Sequence, residues 1–131
     1  MISPEIIKIA SDTSNYGIKK KSKYLATSKN RVCGDRITVE IQISNSIIKK
    51  MYYETESCIF CEASASLLSR IIKKKTIKES LLLINSIKKE KIILAKQYQP
   101  FKKLFQSKYE KRINCVILPF EALQKAVSLT L

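Results

Sequence analysis

The 131-residue sequence predicts an α+β fold, a small three-stranded antiparallel sheet with helices packed on one face and an N-terminal helix. Residues 36–44 alternate apolar and polar side chains, which is typical of a half-buried strand. After residue 58 the apolar side chains recur at three- and four-residue spacing, which is typical of helices. Because the strands come first, we expect the helices to cover one face of the sheet. The length suits one modest core, so we expect one domain over residues 1–131.

The N-terminal helix is predicted to begin at residue 3. Ser3 supplies an N-cap hydroxyl, Pro4 suits the first helical position, and Glu5 places a carboxylate near the positive end of the helix. The turn signal at residues 15–17 is expected to follow the end of this helix. Its core-facing side chains are expected to be Ile6, Ile7 and Ala10.

Two strands, Arg36–Ser44 and Ile47–Thr55, are predicted to form a hairpin through the turn at residues 44–46. The sequence pattern does not determine which side chains of the second strand face the core. A third strand is expected near residues 24–27. In the first strand the predicted buried face consists of Ile37, Val39, Ile41 and Ile43, and the other face of Thr38, Glu40, Gln42 and Ser44.

The second half of the chain is predicted to be helical. One helix is expected over residues 60–72, a second over 77–87, a third through 92–98, and the last from about residues 115–119. The apolar side chains behind these predictions are Phe60, Leu67, Leu68, Ile71 and Ile72, then Ile77, Leu81, Ile84 and Ile87, a cluster of Phe101, Leu104 and Phe105, and finally Leu123, Ala126 and Val127.

The charge balance is strongly basic, with 25 Lys and Arg against 11 Asp and Glu, and the chain has no histidine. The missing imidazole excludes Ser-His-Asp triads, HExxH zinc sites and mixed Cys/His zinc fingers. The positive charge suits an acidic partner. The basic residues are mostly scattered lysines, whereas arginine usually reads bases, so nucleic acid is not the expected partner.

The four cysteines at positions 33, 58, 61 and 115 are expected to be reduced. Residues 1–5 lack the basic and apolar segments of a signal peptide, and no apolar run approaches the ~20 residues of a membrane span. We therefore expect a cytoplasmic protein without a membrane partner. In that compartment, spaced cysteines more often bind metal or react than form disulfides.

Three of the cysteines lie where a metal or sulfur site is plausible. If the first strand of the hairpin extends upstream, Cys33 and Asp35 project to the same side, and a thiolate with a carboxylate suits a metal ion. Cys58 lies where the strand pattern gives way to a helix, and Cys115 lies just ahead of the last helix. Helix starts favour thiolates. The alternatives are a plain β-turn at residues 33–35 and, for Cys61, a small buried core residue.

An ordered set of motifs resembles the iron–sulfur scaffold family that includes IscU, SufU and the N-terminal domain of NifU. The resemblance covers almost the whole chain. The set consists of Asn15-Tyr16-Gly17, the run Asn30-Arg31-Val32-Cys33-Gly34-Asp35-Arg36-Ile37-Thr38-Val39, Cys58 followed by Ala63-Ser64-Ala65-Ser66, and Arg112-Ile113-Asn114-Cys115 with Leu118-Pro119-Phe120 and Ala122-Leu123.

The resemblance implies a scaffold that receives iron and desulfurase-derived sulfur and passes a cluster, expected to be [2Fe–2S], to acceptor or carrier proteins. The implied ligands are Cys33, Asp35, Cys58 and Cys115. A cysteine desulfurase is the implied partner, with Cys115 or another of these thiols as the persulfide acceptor. Such a protein is a carrier rather than an enzyme.

Two alternatives remain. A SufU-like protein would hold zinc with the same residues and accept sulfur on Cys115, which would make it a sulfurtransferase. A basic nucleic-acid-binding module would use all four cysteines for structural zinc.

The chain also departs from the IscU pattern at four points. Asn114 stands where that branch has a histidine, and the Leu-Pro-Pro-Val-Lys motif is absent. Cys61 replaces a small residue that is not cysteine, and the segment between Cys58 and Cys115 is longer. The insertion and the nearby Arg112 resemble the SufU branch more closely.

Overall fold

A three-stranded antiparallel sheet forms one layer of the protein, whose computed structural model describes residues 2–89 and 96–131. The strands are β1 (Tyr24–Lys29), β2 (Arg36–Ser44) and β3 (Ile47–Glu56), in the order β1-β2-β3. The predicted strands are confirmed, with β1 two residues longer and β3 one residue longer than expected. Asn45 and Ser46 have φ values of 54° and 60°, the conformation of the tight hairpin turn that fits strand twist.

An extra residue in β3 explains why its facing is ambiguous in the sequence. Gln42 pairs with Lys50 but Ile43 pairs with Ile48, so Lys49 is a bulge that has no partner across the β2–β3 ladder. A one-residue bulge reverses which side chains face the core. The buried residues of β3 are accordingly Ile48 before the bulge and Met51 and Tyr53 after it.

Glu40 departs from the predicted alternation of β2. It was expected on the solvent face, yet its side chain is completely buried. The backbone N–H groups of Lys19, Lys20, Lys21 and Ser22 donate to its carboxylate at 2.7–3.2 Å, so this segment covers the outer face there. Burial raises the pKa of Glu40, but the four N–H donors outweigh it and hold the pKa below its ordinary value.

The described residues contain four α-helices and two 3-10 helices. Helices α2 and α4 pack on the sheet, α1 packs on α2, and α3 packs on α4. The predicted α+β fold is thereby confirmed. No helix in the described ranges is long and apolar enough to cross a membrane. The helices are α1 (Pro4–Ser11), α2 (Ile59–Ile71), α3 (Ile77–Lys88) and α4 (Ile113–Ser128), and the 3-10 helices are Lys96–Lys103 and Ser107–Arg112.

Helix α1 begins as predicted, with the Ser3 hydroxyl accepting from the N–H of Ile6. It buries Ile6 and Ala10. The prediction that Ile7 is buried is wrong, because half of its surface is exposed. A two-turn helix that packs on one neighbour buries positions i and i+4, and the residue after the first lies about 100° around the axis.

Small residues let α2 lie at the centre of the helical layer. Ala63, Ser64, Ala65 and Ser66 are all buried. The Ser64 hydroxyl donates to the carbonyl of Val116 in α4 at 2.6 Å. This bond ties the second turn of α2 to the first turn of α4, close to the two helix ends that carry Cys58 and Cys115.

The C-terminal part differs from the prediction mainly in its helix boundaries. Residues 92–95 of the predicted third helix lie outside the described residues, and a 3-10 helix occupies residues 96–103. Helix α4 begins at Ile113, so Cys115 lies within the first turn rather than ahead of it. Pro119 lies inside α4 and has no N–H to donate to the carbonyl of Cys115. The buried residues of this part include the predicted Phe101, Leu104, Leu123, Ala126 and Val127.

Candidate metal and sulfur site

Two distant segments bring three potential ligands together. The Sγ atoms of Cys33 and Cys115 lie 4.0 Å apart although 82 residues separate them in the chain. One ligand atom from each of Cys33, Asp35 and Cys115 lies within 4.8 Å of the other two. The β1–β2 loop and the first turn of α4 therefore form a compact set of two sulfur atoms and one carboxylate oxygen.

A tight loop, rather than an extension of β2, places Cys33 and Asp35 on the same site. The N–H of Asn30 donates to the carbonyl of Asp35, and the N–H of Gly34 donates back to the carbonyl of Asn30, both at 2.8 Å. Gly34 has a φ of +79°, which a side chain would strain. The loop leaves Cys33 exposed and turns Asp35 inward, where it is 7% exposed.

The carboxylate of Asp35 is buried without full compensation. Its Oδ2 atom accepts no hydrogen bond from the part of the chain that the structure describes. A buried carboxylate oxygen without a donor is costly, and native proteins seldom keep one without a use. A bound cation would supply the missing partner.

The Cys115 thiol lies in surroundings that disfavour a negative charge. It is 3% exposed, and its pKa is raised far above the ordinary value by burial first, and then by Asp35 and Cys58 beside it. Without a cation the thiol therefore keeps its proton. A metal ion reverses this balance because it favours the thiolate and neutralises the surrounding negative groups.

Cys58 lies at the N-cap of α2, at the strand-to-helix change that the sequence indicates. It is partly buried and close enough to Cys115 to raise the pKa of that thiol. It is not within the 4.8 Å group of three. The Cys58 side chain makes no capping hydrogen bond, so the N–H groups of the first turn of α2 can stabilise a negatively charged sulfur.

Cys61 is completely buried one turn behind Cys58. Its Sγ lies 3.8 Å from Oγ1 of Thr55. Burial raises the pKa of Cys61 to about 12, hydrogen bonds from Ser57 and Thr55 oppose this, and the charges of Asp35 and Cys58 add to it. The contacts of Thr55 and Ser57 with Cys61 were not predicted from the sequence. Their only signal there is the presence of two hydroxyl residues just before the Cys-X-X-Cys segment.

The residues present fit a four-coordinate metal. Two thiolates that share a tetrahedral zinc at about 2.3 Å lie about 3.8 Å apart, close to the observed separation of Cys33 and Cys115. The Oδ2 of Asp35, to which no group in the described ranges donates a hydrogen bond, offers a further ligand, and Cys58 lies beside them. Asn114 is exposed and adds no imidazole. The set suits zinc or thiolate-bound iron.

The profile of the family described as "NifU-like N terminal domain" matches residues 1–129. The chain belongs to this family.

Two curated relatives of this NifU-like domain differ in their named roles. The chain is 32% identical over 106 residues to a zinc-dependent sulfurtransferase SufU of Bacillus subtilis, covering 76% of this chain and 71% of that protein. It is 26% identical over 133 residues to the iron–sulfur cluster assembly scaffold protein IscU of Thermotoga maritima, covering 97% and 92%. The resemblance identified from the sequence motifs is confirmed.

The fold is also that of a solved family member. The crystal structure of a NifU-like protein (N-terminal) from Brucella abortus superposes with a TM-score of 0.84, over 98% of this chain and 95% of that one, at 17% identity. At that identity the likeness concerns the fold alone.

Proposed function

We propose that residues 1–131 of this NifU-like domain act as a scaffold on which an iron–sulfur cluster is assembled and then transferred to acceptor proteins. The observation that supports this best is the site itself. Two thiols 4.0 Å apart lie beside a buried carboxylate oxygen that accepts no hydrogen bond from residues 2–89 and 96–131. Such a set is costly to keep in an empty protein and suited to a cluster as cargo.

Each residue of the site has a distinct part in this proposal. Cys33, Cys58 and Cys115 hold iron through thiolates, and Asp35 supplies an oxygen ligand. Sulfur is the preferred donor for iron in a sulfur-bridged cluster, so the carboxylate is the weakest of the four attachments. A scaffold needs that weakness, because its product must leave. We infer [2Fe–2S] as the cargo, because a cluster of this size is held by four protein ligands and the site offers four.

Release is proposed to occur at the β1–β2 loop. Cys33 is exposed there, and its neighbour Val32 is 96% exposed, whereas Cys115 is buried behind them. An acceptor thiol can therefore approach Cys33 and Asp35 directly.

The proposed partners are a cysteine desulfurase, which supplies sulfur, and apo-proteins that accept the cluster. The net charge of +14 suits an acidic docking surface. We place the function in the cytosol, where the four thiols, all free in the structure, stay reduced.

A second candidate function is zinc-dependent sulfur transfer. The SufU relative favours it, and so do the long segment between Cys58 and Cys115 and the nearby Arg112. In this case Cys33, Asp35 and Cys58 hold zinc, which fixes the site. The Cys115 thiolate attacks the terminal sulfur of the desulfurase persulfide, the S–S bond breaks, and the desulfurase thiolate leaves. The product is a persulfide on Cys115.

Metal analysis and an absorption spectrum of protein purified without air separate the two functions. Iron with inorganic sulfide and visible charge-transfer bands is expected from the scaffold, and zinc with a colourless spectrum from the sulfurtransferase.

Cys33→Ala, Cys58→Ala and Cys115→Ala are each expected to lower metal or cluster occupancy severalfold, because each removes one of few thiolates. Cys61→Ala is the matched control, and it should retain metal or cluster when iron and inorganic sulfide, or zinc, are added directly. Equal loss in all four variants would indicate four thiolate ligands and contradict the role of Asp35.

A further inference from the structure

The first turn of α2 carries two thiols. Cys58 is the N-cap and Cys61 is the third helical residue. The N-cap and N3 positions lie on the same side of a helix start, as the two members of a capping box do, so a rotation of the side chains is enough to bring the two sulfur atoms together. A Cys-X-X-Cys at a helix start is also the arrangement in which disulfide oxidoreductases cycle between dithiol and disulfide. The geometry of α2 therefore allows a disulfide between Cys58 and Cys61.

The two thiols differ in solvent exposure, as a cycle between dithiol and disulfide requires. Cys58 is partly exposed on the side of the site, next to Cys115. Cys61 is completely buried behind it, within 3.8 Å of the Thr55 hydroxyl. The buried Oδ2 of Asp35, without a hydrogen bond in the described part of the chain, lies in the same cluster, since its charge acts on both Cys61 and Cys115. A sulfur donor can reach Cys58, whereas Cys61 has no surface exposed to a donor from outside.

The proposed function has a chemical requirement beyond the binding of metal. Sulfur arrives in a persulfide at oxidation level zero, but a cluster contains sulfide, which is two electrons more reduced. Two thiols can supply both electrons by becoming a disulfide. Among the four cysteines, Cys61 is the one that the proposed ligand set leaves unused.

We propose that Cys61 is the resolving thiol for a persulfide carried on Cys58, so that α2 converts sulfane sulfur into hydrosulfide at the assembly site. This inference rests on the proposed function. The Cys61 sulfur attacks the Cys58 sulfur, the bond from Cys58 to the terminal sulfur breaks, and the proton of Cys61 leaves with that sulfur. Thus Cys58–S–S⁻ and Cys61–SH give the Cys58–Cys61 disulfide and HS⁻. The hydrosulfide is released beside Cys33, Asp35 and Cys115.

The cycle is completed by a dithiol reductant. Exchange with a dithiol returns Cys58 and Cys61 to thiols and leaves the reductant as a disulfide. Cys58 is then free to act as a metal ligand again. Sulfide formation and metal binding therefore alternate at Cys58.

A single-turnover experiment on the reduced, metal-free full chain tests this inference. The sulfur donor is a cysteine desulfurase loaded with persulfide and freed of cysteine and other thiols by gel filtration. Hydrosulfide is trapped with monobromobimane, and disulfides and persulfides are located by peptide mass spectrometry. The wild type is expected to release about one hydrosulfide per persulfide accepted and to contain the Cys58–Cys61 disulfide.

Cys61→Ala and Cys61→Ser are expected to accept the persulfide but to release hydrosulfide about tenfold more slowly, because the intramolecular thiol is missing. Peptide mass spectrometry should find the persulfide retained on Cys58 in both variants, which a variant too damaged to accept sulfur would not show. Equal release by wild type and variants, or a disulfide between other cysteines, overturns the inference and leaves the proposed function standing. If no cysteine of the wild type receives sulfur, sulfur delivery by the desulfurase fails and the inference fails with it.

Discussion

Asp35 and Glu40 are two buried carboxylates with opposite surroundings. Glu40 accepts four backbone N–H groups, whereas the Oδ2 of Asp35 accepts none within the described residues. A satisfied buried carboxylate stabilises the fold that surrounds it, and an unsatisfied one destabilises it. This contrast supports the structural role of Glu40 and the ligand role proposed for Asp35.

Replacing Asp35 by alanine is expected to slow transfer of a reconstituted cluster to an acceptor apo-protein severalfold, because the three thiolates remain while the labile ligand is lost. The empty variant should unfold at the same or a higher temperature, since an unpartnered buried oxygen is removed. Transfer is followed by circular dichroism of the acceptor.

The control for this experiment is Asp12→Ala, which changes the only other aspartate, beside Ser14 and Arg70. It should leave transfer unchanged. On the zinc alternative, Asp35→Ala instead releases zinc faster to a chelator. If neither transfer nor zinc release changes, Asp35 is only a turn residue.

The lowered pKa of Glu40 predicts that the free energy of unfolding decreases in acid. Because its folded pKa lies below the ordinary value of 4.5, its contribution is complete above that value and is lost as the pH falls through the folded pKa. Glu40→Gln is expected to cost about 2–4 kcal/mol at pH 7, since an amide cannot accept all four N–H groups. Urea unfolding between pH 3 and 7 measures this, and the difference from wild type should shrink at the acid end.

Glu54→Gln is the matched control, because the exposed Glu54 carboxylate accepts a single backbone N–H from Ile18. It should cost less than about 1 kcal/mol. A pH-independent difference between Glu40→Gln and wild type would contradict the role given to the Glu40 charge.

The sequence predicted which side chains meet better than it predicted their surroundings. Cys33, Asp35 and Cys115 do meet, because strand and helix patterns placed each one near the end of an element. The burial of Glu40 could not be predicted, since its donors belong to a loop without periodicity. The tight turn at Gly34 could not be predicted either, because the alternation of apolar and polar residues in β2 carries no information about the loop before it.

At the scale of elements, the contact between α2 and α4 positions the site. Both helices begin at the site, and the Ser64 hydroxyl joins them at Val116, next to Cys115. The helix pattern predicted both elements, but the start of α4 was placed too late because Pro119 is more common at a helix start than inside one. The β3 bulge at Lys49 likewise hid the facing of that strand.

Ser64→Ala is expected to lower the free energy of unfolding by about 1–2 kcal/mol, because a buried hydrogen bond is lost. It should also weaken metal binding severalfold, since Cys115 is no longer held in register with Cys58. Chemical denaturation and metal titration measure the two effects. Ser128→Ala removes an exposed hydroxyl that donates to the carbonyl of Gln124 in α4 and is the control. Equal effects of the two variants would mean that the α2–α4 bond does not position the site.

At the scale of the whole molecule, the positive charge is distributed around the site as well as over the remaining surface. Arg31, Arg36, Lys111 and Arg112 are exposed on the segments that carry the ligands. The charge excess was evident in the sequence, but the arrangement around the site depends on how two distant segments meet. Only the fold brings them together.

Association with a cysteine desulfurase is expected to weaken as salt is raised, because the Debye length falls from about 10 Å at 0.1 M to about 3 Å at 1 M. Arg112→Glu should weaken binding severalfold more than Lys49→Glu, which lies on the β3 bulge at the other end of the sheet. Titration calorimetry at several salt concentrations measures both. Affinity that does not depend on salt, or tighter binding to duplex DNA, would contradict the proposed partner.

The separation of 82 residues between Cys33 and Cys115 has a consequence for the lifetime of the protein. A cargo bound by both cysteines acts as a reversible cross-link that closes most of the chain into a loop. Because this cross-link forms only in the folded state, loaded molecules unfold less often than empty ones. Proteases cut opened chains, so they remove the empty molecules first. The amount of this protein that survives therefore follows the supply of its cargo.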